Sequence, residues 1–182
     1  MQLRNRRRLQ FLLVVSMFFA PLIIASILAM RGWVPDARSF GEPILPQRSL
    51  QGAAIELADG GDFQWRDPDQ RWRLIALPGS ACAERCIEQL DLIHRAQFLL
   101  NKNAHLVQLV YLGTPPIDPA AASVMQAWRV GRDRDDALAE WRAPEADGVA
   151  AILVQPDGTP LTLYRNGFNP TGLRKDLAKV AK

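Results

Sequence analysis

The stretch WRLIALPGSACAERCIEQLDLIHRAQFLL, residues 72–100, decides the fold. Residues Trp72 to Leu77 are mostly apolar, which predicts a buried strand, and Pro78-Gly79-Ser80 ends it. From about Cys82 to Leu100 the apolar residues recur at roughly helical spacing. We therefore predict a core strand followed at once by a long helix, with the chain's two cysteines at the junction.

The segments on either side of this stretch continue the alternation of strands and helices. Phe63–Trp65, a turn at 67–70 and the strand from Trp72 predict an N-terminal hairpin. The later segments are predicted as a strand (105–112), a helix (119–128), a short helical piece (135–141), two hairpinned strands (149–154 and 161–164) and a closing basic helix (171–182). This order predicts an α/β fold, a mixed sheet with helices on both faces.

The N-terminus has the pattern of a membrane anchor. Residues 1–10, MQLRNRRRLQ, carry four arginines and no acid, and residues 11–30, FLLVVSMFFAPLIIASILAM, carry no charge. Twenty helical residues at about 1.5 Å each span roughly the 30 Å core of a bilayer. We predict a single-pass protein of the inner (cell) membrane, with the 1–10 flank cytoplasmic and the C-terminal domain periplasmic.

The alternative for this segment is a cleaved signal peptide. The apolar stretch of such a peptide is about 7–15 residues long and is followed by two small residues spaced by one. The stretch here is longer, and no pair of small residues from Ala20 to Gly32 has that spacing. The pattern favours the uncleaved anchor.

The remainder divides into a tether and one domain. Residues 31–50 contain three prolines and little periodicity, which predicts an extended tether, and residues 51–182 suit one compact domain. Without the four N-terminal arginines, 18 basic residues face 19 acidic ones. The exported part is therefore near neutral, and we expect no nucleic acid partner.

The cysteine pair indicates thiol chemistry. An oxidising compartment permits a disulfide between Cys82 and Cys86, and a bridge over so short a loop adds little stability. At the predicted helix start, unpaired N–H groups and the helix dipole favour a Cys82 thiolate. Cys86, one turn later, is placed to resolve a mixed disulfide. We predict a thiol-disulfide oxidoreductase site at these two residues.

A dense charge run, Arg132 to Asp136, follows the predicted helix 119–128. Its alternating signs neutralise one another, which favours a solvated loop or helix start over a metal site. Trp128 and Trp141 flank this run, and we note them as candidates for a protein contact.

The order of elements, with a thiol pair at the first strand-to-helix junction, resembles the thioredoxin fold. With the anchor, the tether and the context PGSACAERC, the chain resembles the SCO/SenC family of cytochrome oxidase assembly proteins. The resemblance is strongest over residues 72–113 and at ILVQPDG, residues 152–158. It implies Cys82 and Cys86 as Cu(I) ligands, copper as a cofactor, and a cytochrome oxidase subunit or another assembly factor as partner.

The family's third copper ligand has no match in this chain. Family members carry it in a pattern like Asp-His-Ser before the third core strand, where this chain has Asp147 followed by Gly148. His94 is eight residues beyond Cys86, about 12 Å along a helix, and His105 is predicted at the opposite end of the sheet.

Two hypotheses therefore stand. The first is a membrane-anchored assembly factor that works by thiol-disulfide exchange or weak Cu(I) handling. The second is a non-catalytic docking or scaffold protein of a respiratory complex.

Overall fold

The computed structural model describes residues 39–61, 63–119 and 121–182, and seven positions near the N-terminus. The seven are Ser16, Met17, Phe19, Ala20, Pro21, Ile23 and Ser26, all helical. The chain divides into two compact units, 1–38 and 39–182. The predicted 1–10 flank and most of the predicted membrane helix lie outside the described residues. Within the described positions, no helix has the length and apolar character needed to cross a membrane.

The folded unit is built on one seven-stranded mixed sheet. Its strands are β1 (Glu42–Pro43), β2 (Ile55–Leu57), β3 (Trp72–Pro78), β4 (Val107–Leu112), β5 (Arg129–Asp133), β6 (Val149–Val154) and β7 (Pro160–Tyr164). Their order is β1-β7-β6-β3-β4-β5-β2. β3 pairs in parallel with β4, which pairs in parallel with β5, and the other pairs are antiparallel. The central strand β3 therefore has neighbours of both directions.

Three α-helices, α1 (Glu84–Phe98), α2 (Ala121–Met125) and α3 (Pro170–Val180), pack on one face of this sheet. Leu74 and Ala76 of β3 point to that face, since alternate strand residues face opposite sides. Leu90 and Ile93 of α1 are fully buried against them. Burial of an apolar side chain of this size stabilises the fold by about 1.5–3 kcal/mol.

Among the described residues, those that cover the second face lie in loops and in a short 3₁₀ helix, Ala139–Trp141, instead of in α-helices. Ile75 and Leu77 point to this side and pack in a cluster that includes Trp65, Leu138 and Trp141. The prediction of helices on both faces therefore differs from the structure, because the segment 135–141 forms only one 3₁₀ turn.

The core of the predicted fold is confirmed as a thioredoxin-like mixed sheet flanked by helices. The predicted N-terminal hairpin is wrong, because Phe63–Trp65 forms no strand. Trp65 is instead buried, and its indole N–H donates to the Ala53 carbonyl at 2.7 Å. A buried ion pair between Asp67 and Arg73 of β3, 3.2 Å apart, also fixes the loop that precedes β3.

Two further differences concern the charge run and the two tryptophans that flank it. The charge run was predicted as a loop or helix start, whereas its first part lies in β5, paired with β2 and β4. Trp128 and Trp141 are only 6% and 8% exposed, so they pack in the core and offer little surface to a partner.

Residues 39–50, the N-terminal strap, pack on the folded unit, although 31–50 was predicted as an extended tether. β1 pairs with β7, and Ile44 and Leu50 are buried in the second-face cluster. The Asp176 carboxylate accepts hydrogen bonds from the backbone N–H of Phe40 at 2.6 Å and from the Ser39 hydroxyl at 3.1 Å. The domain therefore starts near residue 39 instead of 51.

Replacing Leu50 by alanine tests whether the strap belongs to the fold. Leu50 is 4% exposed, and truncating a buried leucine leaves a cavity, so we expect a loss of about 2–4 kcal/mol in the free energy of unfolding. Leu45 lies in the same segment at 75% exposure, and Leu45→Ala should change stability by less than about 0.5 kcal/mol. Urea unfolding measures both. If Leu50→Ala lowered the free energy of unfolding no more than Leu45→Ala does, the strap would be a detached tether.

Candidate redox site

The two cysteines lie where β3 gives way to α1, as the sequence predicts. The chain leaves β3 through Gly79, where any added Cβ would overlap the carbonyl oxygen of Glu145. The backbone N–H of Gly79 donates to Gly148 at 2.9 Å, and that of Ala81 donates to Ala146 at 2.8 Å. The loop 145–148, just before β6, therefore lies directly against the loop that carries Cys82.

Cys82 and Cys86 form a disulfide, with their Cα atoms 5.1 Å apart, within the ordinary range for such a bond. Cys82 precedes α1 and is partly exposed, whereas Cys86 lies in the first turn and is fully buried under Leu90. Only the Cys82 sulfur offers an approach to a partner. The exposure order is the one that an attacking Cys82 and a resolving Cys86 require.

Asp147 caps the start of α1 from a loop far away in the sequence. Its Oδ1 accepts from the N–H groups of Ala83 at 2.7 Å and Cys86 at 3.1 Å, and its Oδ2 accepts from that of Arg85 at 3.1 Å. The N-cap position itself is Ala83, whose side chain has no oxygen to accept these bonds. The long-range carboxylate therefore replaces the usual local cap.

The cap is a charged group under ordinary conditions. Burial raises the pKa of Asp147, but the three backbone donors and the Arg85 charge outweigh it and leave that pKa below its usual value. Because the folded-state pKa is lowered, the stabilisation is present at neutral pH and is lost only as the pH falls through the lowered value.

This arrangement corrects the sequence-based account of Cys82. That account assumed unpaired N–H groups at the helix start, whereas three of them already donate to Asp147. A thiolate at Cys82 would gain less from the helix terminus and would also face a like charge. Compared with an uncapped helix start, this site therefore shifts the equilibrium from the ionised, reduced pair towards the disulfide.

The structure brings no third metal ligand to the two sulfurs. Gly148 is buried, and a Cβ there would lie 3.0 Å from Cγ of Asn166, so an imidazole would require Asn166 to move. His105 lies in the 3₁₀ helix Asn101–Leu106 before β4, at the end of the sheet opposite Cys82. Among the described residues, no group of three or more His, Cys, Asp or Glu side chains could hold a metal ion. Two thiolates alone suit soft Cu(I) in donor type.

A groove of about 820 Å³ opens beside Cys82, and we call it the Cys82 groove. Its walls are the cysteine loop and the segment 113–118 after β4, and its lining also includes Arg132, Asp133 and Arg142. This groove was not predicted from the sequence. The signal available in the sequence was the apolar Pro115-Pro116-Ile117 run directly after an apolar strand.

Comparison with known proteins agrees with this architecture. Residues 72–182 match a family model described as transmembrane-like, thioredoxin-like, C-terminal domain. No curated protein sequence matches the chain.

Solved structures share the fold at low sequence identity. Yeast Sco1 with copper bound is 13% identical, with 78% of this chain and 92% of that chain covered and a TM-score of 0.53. A putative electron transfer protein from Aquifex aeolicus VF5 is 12% identical, with 76% and 99% covered and a TM-score of 0.52. Peroxiredoxin Q of Xanthomonas campestris is 12% identical, with 78% and 100% covered and a TM-score of 0.50.

Removing the charge of Asp147 should make reduced Cys82 more reactive. We expect Asp147→Asn to raise its alkylation rate at neutral pH roughly two- to fivefold, because about 1 kcal/mol of repulsion on the thiolate disappears. Iodoacetamide labelling, with Cys82 quantified by mass spectrometry, measures the rate.

Glu145→Gln is the matched control, since Glu145 is an exposed acid of the same loop whose side chain makes none of these bonds. Equal rates in the wild type and in both variants would contradict the role assigned to Asp147. Asp147→Ala should in addition cost about 1 kcal/mol of stability through the lost cap.

Proposed function

The chain belongs to the family of transmembrane-like, thioredoxin-like C-terminal domains, and from this premise we propose that it is a membrane-anchored thiol-disulfide exchange protein acting through Cys82 and Cys86. One observation carries the proposal. A partly exposed cysteine is bonded to a buried one at the first strand-to-helix junction of a thioredoxin-like sheet.

The proposed reaction reduces a disulfide in a client protein. The Cys82 thiolate attacks one client sulfur, and the other client sulfur leaves as a thiolate and takes up a proton. Cys86 then loses its proton and attacks Cys82, which releases the second client thiol and forms the Cys82–Cys86 bond. Two electrons pass from the cysteine pair to the client, and a thiol donor of the same compartment must reduce the pair again.

The environment of the pair supports this direction. Asp147 disfavours a thiolate at Cys82 and so favours the disulfide product of the reaction, which makes the reduced pair a better electron donor. Cys86 is fully buried, so it meets the mixed disulfide from within the protein and not from solvent. The predicted membrane anchor would keep this chemistry near membrane proteins.

The client we propose is a cytochrome oxidase subunit or another assembly factor, in the periplasm. The support is the sequence resemblance to SCO/SenC proteins, with the cysteines at the matching junction. Handing over Cu(I) as cargo between two thiolates is the second form of this role. The missing third ligand makes that form weaker, because Gly148 supplies no donor and Asn166 occupies the adjoining space.

A non-catalytic docking protein is the alternative function, and the same missing ligand favours it. The reduction potential of the cysteine pair separates the two. A value far below about −300 mV marks an inert structural bridge, whereas a value near that of the compartment supports exchange. Equilibration against a series of dithiothreitol ratios, followed by alkylation of the free thiols, gives this potential.

Trapping of the mixed disulfide tests the exchange directly. In Cys86→Ala the resolving thiol is absent, so we expect Cys82 to hold clients as covalent adducts that a reducing agent releases. Cys82→Ser should form no such adducts, although Cys86 is still present, because Cys86 is buried. Non-reducing electrophoresis of membranes with mass spectrometry measures both. Equal adducts from the two variants would contradict the assigned roles.

Titration of the reduced protein with Cu(I) tests the cargo form. We expect a complex that requires both sulfurs and that an excess of a strong Cu(I) chelator removes completely, since only two ligands are present. Cys82→Ser should abolish the complex. A 1:1 complex that withstands the chelator would favour a copper chaperone over the exchange protein, and the absence of any complex would count against copper handling.

A further inference from the structure

Asp133 lines the Cys82 groove, and one of its carboxylate oxygens has no hydrogen-bond partner in the part of the chain that the structure describes. Asp133 is only 5% exposed, and its Oδ2 accepts a hydrogen bond from the N–H of Leu138 at 2.8 Å. Its Oδ1 is buried and has no hydrogen-bond partner among the described residues. A buried carboxylate oxygen left unpaired is costly, and a donor arriving from a ligand would relieve that cost.

The charges of the groove point to the sign of that ligand. Its lining holds four acidic residues, Glu84, Asp118, Asp133 and Asp136, and two basic ones, Arg132 and Arg142. Arg142 lies 4.0 Å from Asp136 and also donates to the Leu112 carbonyl at 3.3 Å, so part of its positive charge is engaged within the protein. The net charge of the lining is negative, which favours a cationic occupant.

The wall formed by the segment 113–118 presents an exposed apolar side chain. Ile117 is 96% exposed after Pro115 and Pro116, and it lines the groove within the 113–118 wall. Cys82 and Ala83 line the near wall. An occupant therefore meets an apolar side chain, a disulfide sulfur and acidic side chains in one groove.

We propose that the Cys82 groove binds an extended, basic segment of the client protein next to the client cysteine, with Asp133 accepting a hydrogen bond from its lysine or arginine. The apolar part of the segment lies against Ile117, and the client sulfur lies at Cys82. This inference rests on the proposed exchange function and adds the substrate class. Asp133 becomes the residue that selects a client by charge.

Peptide binding tests the inference without requiring any exchange. The probe is a fluorescent octapeptide with serine in place of cysteine and a lysine two residues away, titrated against the full chain in detergent by anisotropy. Its matched partner carries glutamine for lysine. We expect the lysine peptide to bind about tenfold more tightly, a preference that falls as the salt concentration rises.

The variant Asp133→Asn keeps an oxygen that can accept from Leu138 and removes the charge. We expect it to weaken binding of the lysine peptide about tenfold and to leave the glutamine peptide unchanged. Asp135→Asn is the control, because Asp135 is an exposed acid of the same run that does not line the groove. Ile117→Ser should weaken both peptides equally. Thermal unfolding of each variant confirms that the fold is intact.

The possible failures are distinguishable. If both peptides bind the wild type equally, or if Asp133→Asn and Asp135→Asn behave alike, the groove does not select by charge and the inference falls. If Asp133→Asn does not fold, the lysine and glutamine peptides on the wild type decide the matter alone. If the lysine preference is present but a peptide whose cysteine is held in a mixed disulfide with glutathione forms no adduct with reduced Cys86→Ala, with glutathione as the leaving thiol, the exchange function fails while the binding site stands.

Discussion

The hydrogen bonds from the first turn of α1 to Asp147 hold the site together. They join the loop before β6 to the helix that carries Cys86, and backbone bonds from Gly79 and Ala81 complete the same contact. A helix start without a local cap would otherwise leave its N–H groups unpaired at the protein surface. One carboxylate therefore fixes the position of the cysteine loop and sets the charge beside it.

That contact exists because of the strand order. β3 and β6 are antiparallel neighbours in the middle of the sheet, so the end of β3 meets the start of β6. The register pairs Pro78 with Val149, and this pairing brings the loop after β3 against the loop before β6. β4 lies on the other side of β3 in parallel, so its C-terminal loop forms the far wall of the groove. The two strands that flank β3 therefore supply the two loops that lie on either side of the cysteine loop.

How much the sequence predicted depended on how local the signal was. β3, β4, β6 and β7 are mostly apolar runs bounded by proline or glycine, and their prediction was confirmed within about two residues. β1 and β2 are only two and three residues long, so they have no periodicity to detect. β5 was hidden by its charges, because Arg132 lies on the exposed side of the strand while Asp133 is buried. The strap looked like a tether, since burial of Ile44 and Leu50 depends on a surface formed by distant residues.

The site shows the same division between local and distant signals. The cysteine spacing and its place after a strand were enough to predict the pair and its location at the junction of β3 and α1. Asp147 lies more than sixty residues from the helix that it caps, so nothing near the cysteines indicated that the helix start was occupied. The sequence identified Asp147 only as a match to a family pattern and not as a cap.

The same cap has a consequence for how a client is released. Its bonds run from backbone N–H groups to a carboxylate and involve neither sulfur, so opening the Cys82–Cys86 bond leaves the first turn of α1 held in place. Oxidised and reduced protein then present nearly the same shape to a bound segment. Only the covalent bond would then distinguish protein that holds a client from oxidised protein that has released it. The rate of turnover would be set by the rate of sulfur exchange and not by a conformational change.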